Sequence, residues 1–394
     1  MKILLVCDST YYKSSGGRVT RYLNKILKNN NHEVKVIVVS EKRDDTDWDP
    51  FYIENDIVFL PIRNKLRYKL ANLLIRTKEF EIFKESLKTF LPEVVHFASF
   101  DIGKPAQFIN ESKKIGAKVV LQPWIMSFYC AQEYGFRNNM PCTLCANGNY
   151  LHALKNKCIS FKGIFSLLKR RFLQNASKKA DVFLSSNSEL DQILLKYGVN
   201  KNKISRFPVP FDYTSSIPIE KENNDYFIFY GQPIASKGIN VLLDVFNNNV
   251  NQLLKIYPSP SLPIDTIISN NIEIINGINW TNGLGDAIAL SKVVLIPTLW
   301  ATTIEYTLYE AMLFKKPIIL FNVGAHKDIF NNKFNALVVE PNDLESYAKC
   351  IIELDENAEL RKSIGENGYK TLLKINNPDK LYAELLEAYT NKTT

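Results

Sequence analysis

Three stretches of the chain combine glycines, hydroxyls and charge in a way that suits an anionic ligand. The first to note is Gly231-Gln232-Pro233-Ile234-Ala235-Ser236-Lys237-Gly238, set between the apolar run Tyr226 to Tyr230 and an amphipathic helical pattern from Ile239. Glycine lets backbone approach a ligand closely, a helix start offers unpaired N–H groups, and Lys237 can set an ammonium against a diphosphate. Ser14-Ser15-Gly16-Gly17-Arg18 has the same placement after the apolar run Ile3 to Cys7. Taken alone, a Gly-Gly pair also serves a tight turn, and a lysine beside a turn is also an ordinary solvated side chain. Neither loop fits the G-x-G-x-x-G dinucleotide fingerprint or the G-x-x-x-x-G-K-[ST] phosphate loop, which disfavours nicotinamide and ATP chemistry of those kinds. The third stretch, Pro297 to Met312, carries Thr302, Thr303, Glu305 and Glu310 beyond a strand end. There a carboxylate can bind both ribose hydroxyls, and Glu310 is read in that role rather than as a surface helix residue.

A separate cluster lies between Cys130 and Cys158. Cys142-Thr143-Leu144-Cys145 is a C-x2-C knuckle, and with Cys130 and Cys158 it supplies four thiols in loop-like surroundings. That spacing suits a structural zinc ion; an iron–sulfur cluster would use the same ligands, and four ordinary thiols are the bland alternative. Cys7 and Cys350 fall in strand and helix patterns and read as core residues. His96, at a strand end, reads either as a residue facing a ligand or as a satisfied core histidine.

The elements that must position these residues alternate from the start: strand at Ile3 to Cys7, helix at Val19 to Asn29, strands at Val34 to Val39 and Ile57 to Pro61. Runs of four to six apolar residues are what parallel strands covered on both faces show. The rhythm continues through strands at Val94 to Phe97, Lys118 to Gln122 and Val182 to Ser185, then breaks into Pro, Ser, Asn and charge between Pro208 and Asp225. A second series follows, from Tyr226 to Tyr230 through Leu337 to Val339. The expected architecture is α/β: two Rossmann-like domains with parallel sheets facing a central cleft. Residues 1–215 form the first, acceptor-binding domain, with a Cys-rich insertion at 130–158. Residues 216–375 form the second, and a helix within 376–394 packs back on the first.

The chain has 394 residues, more than one core usually supports, and 46% are hydrophobic. Its net charge of +8 favours anionic partners in general. The basic residues are dispersed and no nucleic-acid module is recognisable, so nucleic acid is not an expected partner. No apolar run nears the ~20 residues that span a bilayer, and thiols without a secretory leader point to a cytoplasmic protein. The run Phe161 to Leu173 mixes aromatic and aliphatic residues with Lys162, Lys169, Arg170 and Arg171. It suits either peripheral contact with an anionic leaflet or a helix with one core face.

On the first strand with Gly16-Gly17 and its helix to His32-Glu33-Val34, the Gly231 to Gly238 loop, and Glu310-Ala311-Met312 with Lys316-Pro317-Ile318-Ile319, the sequence resembles glycosyltransferase family 4. The resemblance implies a GT-B fold and retaining transfer of a sugar from a nucleotide diphosphate sugar to a glycan or lipid-linked acceptor in surface polysaccharide synthesis. No cofactor is implied for catalysis, and lipid-linked acceptors imply peripheral association at the inner face of the plasma membrane. It implies that Lys237 and Glu310 are the catalytic pair, binding phosphate and ribose. Gly16, Gly17, Gly231, Gln232, Lys237, Thr302, Thr303, Glu305 and Glu310 would line the donor site. The sequence departs from the pattern where Thr302 replaces the first glutamate of E-x7-E, where Gln232 replaces an arginine, and at Val209-Pro210-Phe211-Asp212 and Pro123-Trp124-Ile125. A non-catalytic nucleotide-sugar-binding protein or a nucleotide-sugar epimerase of the same fold would show many of the same features.

Overall fold

Runs such as Ile3-Leu4-Leu5-Val6-Cys7 carry no polar alternation, so a strand built from them is stable only when covered on both faces. The computed structural model describes residues 1–7, 15–39, 57–59, 78–98, 105–159, 163–213, 225–262 and 268–391. Ser14 of the first glycine loop, the acidic run at 44–49, the linker at 214–224, and Phe161 and Lys162 lie outside the described residues.

In chain order the strands are β1 (Lys2–Cys7), β2 (Glu33–Val38), β3 (Ile57–Phe59), β4 (Val94–Phe97) and β5 (Lys118–Leu121). The short pair β6 (Phe136–Arg137) and β7 (Met140–Pro141) follows, then β8 (Val182–Ser185) and β9 (Ile204–Arg206). The rest are β10 (Phe227–Gly231), β11 (Leu254–Pro258), β12 (Ile272–Ile274), β13 (Val293–Ile296), β14 (Ile318–Phe321) and β15 (Leu337–Val339).

The chain forms two units. The first comprises Met1–Gly135, Thr143–Phe211 and Pro378–Thr394, and its sheet runs β3-β2-β1-β4-β5-β8-β9 with every pair parallel. The C-terminal helix Pro378–Thr390 belongs to this unit and buries Leu381, Leu385, Ala388 and Tyr389. Tyr382 meets His32 Nε2 at 3.0 Å, and Lys118 donates to the carbonyl of Asn391.

The second unit comprises Phe136–Cys142 and Asp212–Asn377. Its sheet, β12-β11-β10-β13-β14-β15, is again parallel. Phe227, Phe229, Leu242, Val245, Leu295, Phe321, Tyr347 and Ile351 are among the buried residues of its core. From β10 the chain moves outward through β11 and β12, then returns to β13 on the other side. The order therefore reverses between β10 and β13, and at such a switch point the loops diverge and open a crevice beyond the carboxyl ends of the strands.

Two boundaries fall elsewhere than expected. The chain leaves the first unit at Phe211, where the sequence suggested 215, and returns to it at Pro378. The segment 130–158 is divided, because the β6–β7 hairpin has an anchor of its own: Phe136 packs on the second core and Asn342 Nδ2 donates to the carbonyl of Asn139 at 2.9 Å. No helix among the described residues is long and apolar enough to cross a membrane.

Candidate functional site

The loops after β10, β13 and β14, three neighbours in the second sheet, are locked together by backbone contacts that only glycine allows. Gly238 has φ +77, and a Cβ there would stand 1.9 Å from the carbonyl oxygen of Pro297. Gly324 has φ +49, and a Cβ there would meet the backbone of Thr302 at 2.4 Å. Leu299 N–H donates to Ser236 O at 2.9 Å, and Ala325 N–H donates to Thr302 O at 2.9 Å. The β13 loop is thus fastened to the β10 loop on one side and to the β14 loop on the other.

Within this frame Lys237 ends a short 3-10 turn, Ala235–Lys237, and reaches over the β13 loop. Its Nζ lies 2.8 Å from Glu305 Oε1 and 5.2 Å from the centre of the Trp300 ring, a cation–π distance. Its side chain keeps 19% of its exposure, whereas Glu305 keeps 7%. Glu305 precedes the helix Tyr306–Leu313 as its N-cap residue. Thr298 donates to the same Oε1, and His326 Nε2 lies 3.0 Å from Oε2. Burial alone would raise the Glu305 carboxyl; the Lys237 charge, with hydrogen bonds from His326 and Lys237, reverses that and holds it well below the usual carboxylate range.

Of the residues singled out from sequence, the structure brings Lys237 and Glu305 into contact and sets Thr302 and Thr303, both buried, in the same loop. Glu310 is buried on the helix that Glu305 starts. Gly231 closes β10 with φ +116 and has open space around its Cα, the nearest atom to a built Cβ being Thr307 Cγ2 at 4.0 Å. Gln232, next to it, is exposed. Gly16 and Gly17 belong to the first unit, in the opening turn of the helix Ser15–Asn29 that follows β1.

His96 is a core residue: it is fully buried, its Nδ1 is 2.7 Å from the Tyr389 hydroxyl, and burial pushes it down to about 3. The insertion cysteines are half-buried and unbridged, with Cys145 and Cys158 packed against Tyr150, Ala153 and Leu167. Among the described residues no group of three or more His, Cys, Asp or Glu side chains is gathered to hold a metal ion. Sequence reasoning passed over His326, whose only signal was its position just past the carboxyl end of β14.

Residues 215–371 match the family described as Glycosyl transferases group 1. The chain carries a glycosyltransferase group 1 domain. Its domain spans the second unit's sheet and every residue of the Lys237 cluster. An uncharacterized glycosyltransferase of Methanocaldococcus jannaschii is 22% identical over 335 residues, covering 79% of this chain and 90% of that protein. A UDP-Gal:alpha-D-GlcNAc-diphosphoundecaprenol alpha-1,3-galactosyltransferase of Escherichia coli is 22% identical over 28% of this chain and 30% of its own length. Among solved structures, Anabaena HepE in complex with UDP-glucose superposes with a TM-score of 0.68 at 12% identity, covering 98% of this chain and 100% of that one. This glycosyltransferase has the GT-B fold.

Proposed function

We propose that the enzyme transfers a sugar, with retention at the anomeric carbon, from a nucleotide diphosphate sugar to a glycan or lipid-linked acceptor in surface polysaccharide synthesis. The observation that carries this reading is Lys237 at the switch point between β10 and β13, one loop away from the helix that bears Glu310. Lys237 meets the diphosphate and Glu310 the ribose hydroxyls. As the bond from the anomeric carbon to the phosphate oxygen breaks, the diphosphate leaves with the electron pair, and an ammonium beside it lowers the cost of that charge. The acceptor oxygen forms the new bond and gives up its proton to the departing diphosphate. The open backbone at Gly231, the neighbouring Gln232, and Thr302 and Thr303 complete the donor side. The step needs no cofactor.

Support for the donor comes from HepE, whose structure holds UDP-glucose, and for a lipid-linked acceptor from the diphosphoundecaprenol acceptor in the name of the Escherichia coli relative. Leu168 and Phe172, one turn apart on the helix Ile164–Ser177, are 49% and 51% exposed beside the exposed Lys169 and Arg171. That face suits peripheral contact with an anionic leaflet on the cytoplasmic side. The test is incubation of the full chain with UDP-sugars and polyprenyl diphosphate-linked sugars. Release of UDP that depends on the acceptor, with the anomeric configuration kept in the product, supports the reading; donor turnover to an isomer without acceptor would replace it with epimerisation.

A further inference from the structure

The Lys237 cluster contains a carboxylate that the donor does not account for. Glu305 directs its oxygens inward: Oε1 accepts from Lys237 and Thr298, and Oε2 faces His326. A carboxylate offers about four acceptor positions, and three are taken within the protein.

His326 is fixed from its other side. Its Nδ1 lies 2.7 Å from the carbonyl oxygen of Phe321, which can only accept, so Nδ1 carries a hydrogen and donates it. Nε2 then faces Glu305 Oε2 at 3.0 Å. Two bare acceptors would repel, so the contact requires a proton between them. Lys237 and Thr298 on Oε1 and His326 on Oε2 thus enclose the Glu305 carboxylate from three sides. The result is a chain of charge-assisted bonds from the end of β14, through Glu305, to the ammonium after β10. All three groups are mostly or wholly buried.

The geometry points to Glu305 and His326 as positioning residues. Glu305 holds the Lys237 ammonium in the orientation that receives a diphosphate, and His326 holds Glu305 by its other oxygen. This proposal rests on the reading of Lys237 as the phosphate-binding residue. A lysine left to itself at 19% exposure would sample many rotamers, and fixing it in advance removes that ordering cost from ligand binding.

The test uses the full chain and two readouts, with UDP as the probe. In ligand-free protein, acetylation of Lys237 followed by mass spectrometry should speed up severalfold in Glu305→Gln, and less in His326→Gln, because the ion pair that shields the amine is lost. By calorimetry, Glu305→Gln should weaken UDP binding about tenfold, as expected for a lost charge-assisted bond, and should cause no further loss when added to Lys237→Ala. Unchanged labelling of Lys237 in Glu305→Gln would overturn the proposal, and so would losses that simply add in the double variant. Should Glu305→Gln fail to fold, His326→Gln puts the same question from the far end of the chain of bonds. Faster labelling in a protein that binds no UDP would uphold the support of Lys237 by Glu305 while contradicting the nucleotide reading, so the two failures are distinguishable.

Discussion

Nδ1 of His96, at the centre of the first sheet, lies 2.7 Å from the hydroxyl of Tyr389, 293 residues later, in the last helix of the chain. The two rings also meet edge to face, 5.8 Å between centres. This contact ties the C-terminal helix to the first unit after the chain has completed the second. Replacing Tyr389 by Phe keeps the ring and removes the hydrogen bond. A loss of about 1 kcal/mol in chemical denaturation of the first unit is expected; no loss would show that the bond is not formed.

Burial holds His96 neutral, with its pKa pushed down to about 3 from the ordinary 6.5. Below pH 6.5 the unfolded chain takes up a proton that the folded chain refuses, so this group's contribution is complete above pH 6.5 and falls as the pH drops towards 3. At about 1.4 kcal/mol per unit, the fall between pH 6.5 and 5 is about 2 kcal/mol. Comparing the stability of the wild type with that of His96→Asn across this range isolates it; parallel curves would contradict it.

Gly238 is predicted to tolerate no side chain. With φ +77 and the Pro297 carbonyl 1.9 Å from a built Cβ, Gly238→Ala must move the β10 loop away from the β13 loop. A destabilisation of roughly 2 kcal/mol or more is expected, with UDP binding lost in whatever protein folds. Gly277→Ala, also at positive φ (+81) but with nothing near its Cβ, should cost roughly 1 kcal/mol and leave binding intact.

The apolar positions carried most of the fold. Ile3 to Cys7, Val94 to Phe97, Val293 to Pro297 and Ile318 to Phe321 read as buried parallel strands because no other element buries an uninterrupted run of that length between turn signals. The Gly231 to Gly238 loop was legible as well, since positive φ and a strand-to-helix turn demand glycine. Glu305 was harder. Spacing marked 302 and 310, and nothing in the order of residues says that the carboxylate at 305 turns inward to Lys237 and His326. His326 sits in a four-residue helix too short to give a periodic pattern, and its partner lies 21 residues away. The hairpin at 136–141 joins the second unit through Phe136 and Asn342, contacts that sequence distance conceals.

The insertion cysteines give a prediction in which composition and geometry disagree. A structural zinc, or an iron–sulfur cluster in its place, was read from the thiol spacing, while the described side chains are not gathered around an ion. Metal analysis of protein purified without chelator discriminates. About one zinc per chain, lost in Cys142→Ser together with Cys145→Ser, would establish a site; metal-free folded protein would leave Cys145 and Cys158 as packing residues.

Glu310 is assigned to the ribose. Glu310→Ala should weaken UDP binding by about 1 to 3 kcal/mol through loss of charge-assisted bonds. Equal affinity in the variant would remove Glu310 from the site.

The most direct test of the account is calorimetric titration of the full chain with UDP and with GDP, using Lys237→Ala as the control. Saturable binding of one nucleotide at about one site per chain, weakened by at least tenfold in the variant, is the predicted result, that factor corresponding to about 1.4 kcal/mol. Binding of neither, or binding that Lys237→Ala leaves unchanged, would contradict the placement of a nucleotide diphosphate sugar at the switch point between β10 and β13.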